Sequence, residues 1–373
     1  MTFLDGIRSA ATVAAEHAAD VDINARFPRE SLDALKNAGA LSALVDGVPF
    51  DDVAEACQIL ARKCSSSAMV FAMHQIKVSV LAQHAEGWDW VKGYLEDLRR
   101  DQRLIGSVTS EIGTGGDMSR SIAAVETLED GSCTFTKQAP TVSYGEYADD
   151  LLTTLRRAPE AEGGDQVAVL TTREQNTMVK TGTWDPLGMR GTCSPGFTVS
   201  AAFAPDQVVP APYTTIGAES MVPVSHLLWG HLWVGIAVEA FERARKSVKA
   251  AGAQGGSVRA QRLSELYGEL AATRAQLAEA LDRYLRELAE PGRPALRTMN
   301  ASLRHNVLKT SVSTSVASVC QGALDVTGIA GYRNDSPFSI GRLLRDSLSA
   351  SLMVSNDRLH ETNAALLMVV KEG

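Results

Sequence analysis

The run Ser110-Glu111-Ile112-Gly113-Thr114-Gly115-Gly116-Asp117 sets glycines at 113, 115 and 116. Residues without a Cβ let backbone N–H groups come up against a planar or anionic ligand, so this is a candidate ligand loop. The same composition also suits a cluster of β-turns. Its spacing is not Gly-x-Gly-x-x-Gly, so a dinucleotide site of the doubly wound kind is not supported. Farther on, His226 and His231 lie five apart in a helical pattern, with Trp229 and Trp233 one turn apart. Imidazole titrates near neutrality and can serve as general acid or base, while a lone histidine inside a bundle is as readily structural. His74, in Ala72-Met73-His74-Gln75, falls on a mostly apolar helix and reads as a core or interface residue; His360 reads as exposed. The five cysteines are scattered, with no Cys-x-x-Cys pair and no Cys/His cluster at metal-ligand spacing, so no metal site is expected and a reducing cytoplasm fits them.

These groups must be positioned by a chain of 373 residues, enough for one large domain or two to three ordinary ones with a well-buried core. Hydrophobic residues at 45% and charged residues at 21% sit near the soluble average, and the Ala- and Leu-rich texture with 6% aromatic residues leans toward helix. A net charge of −8 argues against a nucleic-acid partner, because nothing would neutralise a row of phosphates, and an acidic face is a poor membrane glue. Asp5 stands where a secretory leader would carry positive charge, and no apolar run approaches 18 residues, so a soluble, unprocessed, cytoplasmic protein is expected.

The pattern reads helix, then strand, then helix. Through about residue 103 apolar residues recur every three or four positions, with Pro28 at a helix start and Gly39 as a stop. From 104 to 212 short β-rich pieces, Leu104 to Val108, Val167 to Thr171 and Phe197 to Ala201, alternate with Gly, Pro and Asp turns, which predicts a sheet domain. From 213 to 373 helical spacing returns, with Leu263, Leu266, Leu270, Leu277, Leu281, Tyr284 and Leu288 on one stripe that Pro291-Gly292 ends. A further helix is expected from about 301 to 327, stopping at Gly328 to Gly331, and a final one from Leu343 through about Val370.

This order of elements, and the motifs within it, resemble the acyl-CoA dehydrogenase superfamily of flavoproteins over nearly the whole chain. The matching stretches run from Phe27-Pro-Arg-Glu-Ser-Leu-Asp-Ala-Leu-Lys-Asn-Ala-Gly39 to Arg345-Asp346, and include Leu187-Gly188-Met189-Arg190-Gly191-Thr192 with its closing Val209-Pro210. The resemblance implies a mostly α fold with a central β-domain: an N-terminal helical domain over 1–103, a β-barrel or sheet domain over 104–212 and a C-terminal four-helix bundle over 213–373. It implies FAD, an acyl-CoA substrate, a homo-oligomer (dimer or tetramer), and an electron-transfer flavoprotein or flavin reductase as electron partner.

By the same resemblance, Thr109, Ser110, Gly115 and Gly116 belong to the loop beside flavin and thioester. Thr141-Val142-Ser143 matches the segment laid against the isoalloxazine; Ser143 keeps the hydroxyl that bonds flavin N5, and Thr141 loses the aromatic shield. Gly328, Ile329 and the Gly331-Tyr332 pair match the glycine turn that meets the FAD pyrophosphate of a neighbouring subunit, and Asn356 and Arg358 fall where flavin contacts follow the catalytic base. Arg190 either holds sheet to helices or touches ligand.

The departures from that pattern point elsewhere. The carboxylate that takes a thioester α-proton falls on Val354, or on Ser225 in branches that supply it from an earlier helix, so the usual base is lost. Asp357 is the nearest substitute, and His226, beside Ser225, could act as base or as proton donor. The pyrophosphate Arg aligns with Ala251, its partner Phe with Gln254, a nearby Gln with Arg262 and another with Asp325; Arg262 and Arg358 either replace the lost phosphate contact or are solvated helix-face arginines. Three functions follow: a flavin oxygenase in which reduced FAD reacts with O₂ and oxygen passes to a CoA-linked or other activated substrate; a conventional dehydrogenase forming an enoyl-CoA, with His226, Asp357 or a carboxylate elsewhere as base; or a silent subunit that binds flavin or CoA.

Overall fold

A computed structural model describes residues 2–252 and 256–371. Five helices come first: α1 (Phe3–Ile23), α2 (Arg29–Asn37), α3 (Phe50–Ala61), α4 (Ser65–Gln83) and α5 (Asp89–Asp101). Local chemistry sets their ends. Thr2 and Asp5 exchange side chain and backbone hydrogen bonds at 3.1 and 3.2 Å to cap α1. Pro28 precedes α2 and Gly39, at φ 68°, follows it, as the sequence predicts. Unlike the others, α4 is buried on nearly every side, so it runs through the interior rather than over the surface.

The strands follow in two sheets. β1 (Ile105–Val108) pairs in parallel with β4 (Asp150–Arg156), which pairs antiparallel with β5 (Gln166–Thr172). β2 (Glu126–Thr127), β3 (Cys133–Ala139), β6 (Asn176–Lys180) and β7 (Phe197–Phe203) form an antiparallel sheet in the order β2-β3-β7-β6. In β7 Phe197, Val199, Ala201 and Phe203 point inward by simple alternation, whereas β4 and β5 are covered on both faces and read as nearly continuous buried runs.

The chain returns to helix at α6 (Tyr213–Ile216), passes through one π-helical turn at Gly217–Met221, and continues as α7 (Val222–Ala251), α8 (Gly256–Ala289) and α9 (Met299–Thr327). The stripe predicted for α8 is buried at Leu266, Leu270, Leu277, Leu281 and Tyr284. α7 is the axis of the molecule and packs against α3, α4, α8 and α9. The stretch Tyr213–Ala251 is long and apolar enough to cross a membrane, yet 89% of its most apolar window is buried inside the protein. One hydrophobic core joins the first helices, both sheets and the bundle.

After the single turn α10 (Ile329–Tyr332) the sequence predicts one last helix; the structure has two, α11 (Gly341–Leu352) and α12 (Asn356–Leu367). Helix is impossible through the gap, because Met353 is extended (φ −72°, ψ 108°) and Val354 is left-handed at φ 53°. No proline or glycine marks the break, so spacing alone carries the helix through it. The fold is that of the acyl-CoA dehydrogenases: leading helices, a strand-rich middle and a closing helical bundle.

Candidate functional site

A cavity of about 730 Å³ lies where the three groups of elements meet. α4 contributes Met73 and Lys77, the end of β1 contributes Ser107, Thr109 and Ser110, and the segment after β3 contributes Thr141 and Ser143. α7 presents Ser225, His226 and Trp229, α9 presents Ser302 and His305, and the α11–α12 break presents Met353 and Val354. The π-helical turn forms part of the rim, a distortion common beside functional sites. Among the described residues no Asp or Glu lines this cavity.

One wall is built of hydroxyls. Ser110 Oγ donates to the Thr141 carbonyl at 3.0 Å, tying the end of β1 to the segment after β3. Ser194 Oγ donates to Ser143 Oγ at 3.0 Å, which leaves the Ser143 proton for a partner in the cavity. The segments behind this wall are strained: Tyr144, Met189 and Cys193 have φ of 45°, 53° and 43°, and Val354 across the cavity has 53°. Side chains in this conformation persist only where surrounding structure enforces it, and they concentrate at ligand sites.

The glycine loop stands just outside. Gly113, Gly115 and Gly116 have φ of 93°, 63° and 84°, so the loop needs glycine at each position. Its Glu111 turns inward and accepts the N–H groups of Ile122 and Ala123 at 2.9 and 2.7 Å, with Lys137 Nζ at 3.5 Å. Arg358 donates to the Gly115 carbonyl and so ties α12 to the loop.

The opposite wall carries imidazoles and a clamped turn. His226 Nδ1 donates to the His305 carbonyl at 2.9 Å, which fixes the tautomer and leaves Nε2 as the acceptor. Burial, with His305 and Lys309 nearby, pushes His226 down to about 3. The ring is thus held neutral, with its one proton donated to that carbonyl and Nε2 left as a hydrogen-bond acceptor. Burial likewise holds His305 and His231 at about 4. Behind them, Lys309 Nζ donates to the Val354 carbonyl at 2.6 Å and to Asn356 Oδ1 at 2.7 Å. This cation takes up the carbonyl that the helix break releases.

Of the residues expected at the site, Thr109, Ser110, Thr141, Ser143, Ser225, His226 and Val354 share the cavity. Asn356 is not among the lining residues; its amide accepts from Lys309 and donates to Ser313. Asp357 is exposed and outside the lining, which removes it as a substitute base. Arg262, Asp325, Gly328 and Ile329 also lie outside the cavity; Arg262, Asp325 and Ile329 are exposed, and Gly328 takes φ 60° beside the Arg259 guanidinium. Ala251 ends α7, and Gln254 lies outside the described residues. Arg190 holds sheet to helix, donating to the Asp22 carbonyl at 2.8 Å and to Asp185 at 2.6 Å. His74 is a satisfied core residue, bonded to the Leu41 carbonyl at 2.7 Å and the Ile105 N–H at 3.0 Å.

Sequence reasoning missed Ser107, Lys77, His305 and Lys309. Ser107 Oγ, Trp229 Nε1 and His305 Nε2 all belong to lining residues, are buried and have no partner. Orphaned polar atoms around one cavity point to a polar ligand. A lysine in the apolar run Val70 to Leu81 was the available signal for Lys77.

No protein-family model matches the sequence, and no curated protein matches it either. Solved structures of the same fold do. FMN-bound TdsC from Paenibacillus sp. A11-2, a dibenzothiophene monooxygenase, is similar at 21% identity with a TM-score of 0.85, over 98% of this chain and 97% of that one. KijD3 in complex with FMN and a dTDP-linked amino-keto sugar is similar at 19% identity and TM-score 0.85, over 99% and 94% of the two chains. The methanesulfinate monooxygenase MsuC from Pseudomonas fluorescens is similar at 18% identity and TM-score 0.83, over 100% and 98%.

Proposed function

We propose that this protein is a flavin-dependent oxidoreductase that uses reduced flavin and O₂ to oxygenate a small organic substrate. One observation carries the reading: a cavity of about 730 Å³ lined by Ser225 and Val354, the positions onto which the family resemblance maps the dehydrogenase carboxylate, with no Asp or Glu among the described lining residues. α-Proton abstraction has no acceptor there. The similar folds of TdsC and MsuC, both monooxygenases, support the same class.

The residues present fit a flavin. The Ser143 proton, the Ser107 hydroxyl and the unpartnered ring nitrogens of Trp229 and His305 are the kinds of donors and acceptors a polar aromatic ring system needs, and the cavity leaves them unused. When bound, a flavin supplies two-electron transfer and, in its reduced form, reaction with O₂. Ser143 would hold the ring edge by donating its proton. Ser110 keeps the Thr141 segment in place, and Thr141, smaller than an aromatic, leaves room for O₂ on that face. Met73, Trp229 and Met353 exclude water, and His226 Nε2 accepts a hydrogen bond from a substrate hydroxyl, amide or amine.

Three finer parts belong to the same proposal. The flavin is FAD, with its adenylate half on the Gly328–Ile329 turn, Arg262 and Asp325 of a second copy; their exposure outside the cavity suits a site completed by a homo-oligomer, and Ile329 at 74% and Tyr332 at 73% exposed are apolar surface such an oligomer would cover. The substrate is a CoA thioester. Electrons come from a flavin reductase rather than an electron-transfer flavoprotein, and the protein works in the cytoplasm. Running the reaction under ¹⁸O₂ with reduced flavin and a panel of acyl- and aryl-CoA esters tests this: labelled oxygen in the product is expected, and an unlabelled enoyl product with stoichiometric electron transfer would overturn it.

A further inference from the structure

Three lysines are buried among the described residues, Lys77, Lys137 and Lys309. Two have fixed partners. Lys137 Nζ donates to the Thr154 carbonyl at 2.6 Å and sits beside Glu111, and Lys309 Nζ donates to the Val354 carbonyl and Asn356. Lys77, 4% exposed on α4, has neither a hydrogen-bond acceptor nor a carboxylate within bonding distance among the described residues, and it lines the cavity. An ammonium group removed from water without a counter-charge is among the more expensive arrangements in a protein interior.

We propose that Lys77 is the anion-binding group of the cavity and receives a negatively charged oxygen of the substrate, a carboxylate, enolate or phenolate. The inference rests on the reading of the cavity as the substrate's. Nothing in the described wall competes for the role. Arg297, the other cation of the lining, is tied to Glu219 at 2.5 Å. No lining carboxylate would repel an anion or neutralise Lys77 from within. Ser107, which also lines the cavity, has an unpartnered hydroxyl and is a neutral donor. Burial pushes Lys77 down to about 7, so an arriving anion also restores the charged form. The substrate class narrows accordingly to molecules with an acidic oxygen on the part that enters the cavity.

Benzoate and its neutral isostere benzamide serve as matched probes, titrated calorimetrically into the FAD-loaded protein, with Lys77→Met and Lys77→Arg alongside. Wild type is expected to prefer benzoate by at least tenfold. Lys77→Met should lose that preference while its benzamide and FAD affinities stay within twofold, and Lys77→Arg should keep it. Equal binding of the probes by wild type, or an undiminished preference in Lys77→Met, would overturn the proposal. So would a tenfold loss of FAD affinity in Lys77→Met with the benzoate preference intact, which assigns the ammonium to the cofactor. Should the protein bind neither FAD nor FMN, the same titrations on the flavin-free protein still decide: a Lys77-dependent benzoate preference would leave the anion site standing while the flavin reading falls.

Discussion

Replacing Lys309 with Met removes the clamp on the α11–α12 break while keeping most of the stem's packing. Two charge-assisted hydrogen bonds disappear, at 2.6 and 2.7 Å, each worth about 1.5–3 kcal/mol. Against this, burial pushes Lys309 down to about 8 from the usual 10.5, and relief of that desolvation returns on the order of 3 kcal/mol. Globally the two terms largely offset, and unfolding in urea should show a loss of only about 1–2 kcal/mol. Locally nothing offsets the loss. Val354 stays left-handed at φ 53°, its carbonyl is orphaned, and a β-branched residue in that conformation carries about 1–3 kcal/mol of strain. Hydrogen exchange of the amides from Met353 to Leu359 should therefore quicken by tenfold or more, while amides in the middle of α9 change little. Exchange within threefold of wild type across that segment, in a folded variant, would refute the clamp.

Four other outcomes follow from the same structure. Burial holds His74, His231 and His305 at about 4 and His226 at about 3, below the 6.5 of an unfolded chain; the unfolded state then binds more protons between those values, so the histidine contribution to stability should be fully present above pH 6.5 and be lost as pH drops toward 4, read by urea midpoints against pH. Both ring nitrogens of His231 are buried without partners, so His231→Leu should raise stability by about 1–2 kcal/mol at pH 5 and flatten that acid slope. A Cβ at Gly188 would lie 2.2 Å from the Arg345 carbonyl oxygen, and Gly188→Ala should cost about 3 kcal/mol or more, seen as a lowered melting temperature or loss of soluble protein. Ser143→Ala should weaken FAD binding by about 2- to 10-fold in a fluorescence titration, the worth of one hydrogen bond, with melting of the flavin-free protein unchanged.

Much of the architecture is legible in local pattern. The stripe of α8, the strands around Val167 to Thr171 and Phe197 to Ala201, and the glycine loop at 113 to 116 all follow from periodicity and from backbone conformations that only glycine takes easily. The hydroxyl wall at Ser110, Thr141 and Ser143 is legible too, through the resemblance of its segments. The break at Met353 to Ser355 is not, because no proline or glycine marks it and the group that satisfies its carbonyl is a lysine on another helix, 45 residues earlier in the chain.

Sequence by itself determined the order helix, sheet, helix, the absence of carboxylates at positions 225 and 354, and the identity of most of one cavity wall. The order of elements is local, set by residue type, period and turn chemistry; the two positions and the wall are what the family resemblance implies. Tertiary structure alone decided the protonation state of His226, the engagement of Asn356 within the bundle and the isolation of Lys77. Each depends on which groups from distant segments surround a side chain and how far water is excluded, and that environment, rather than the residue type, sets whether an imidazole is charged or an ammonium has a partner.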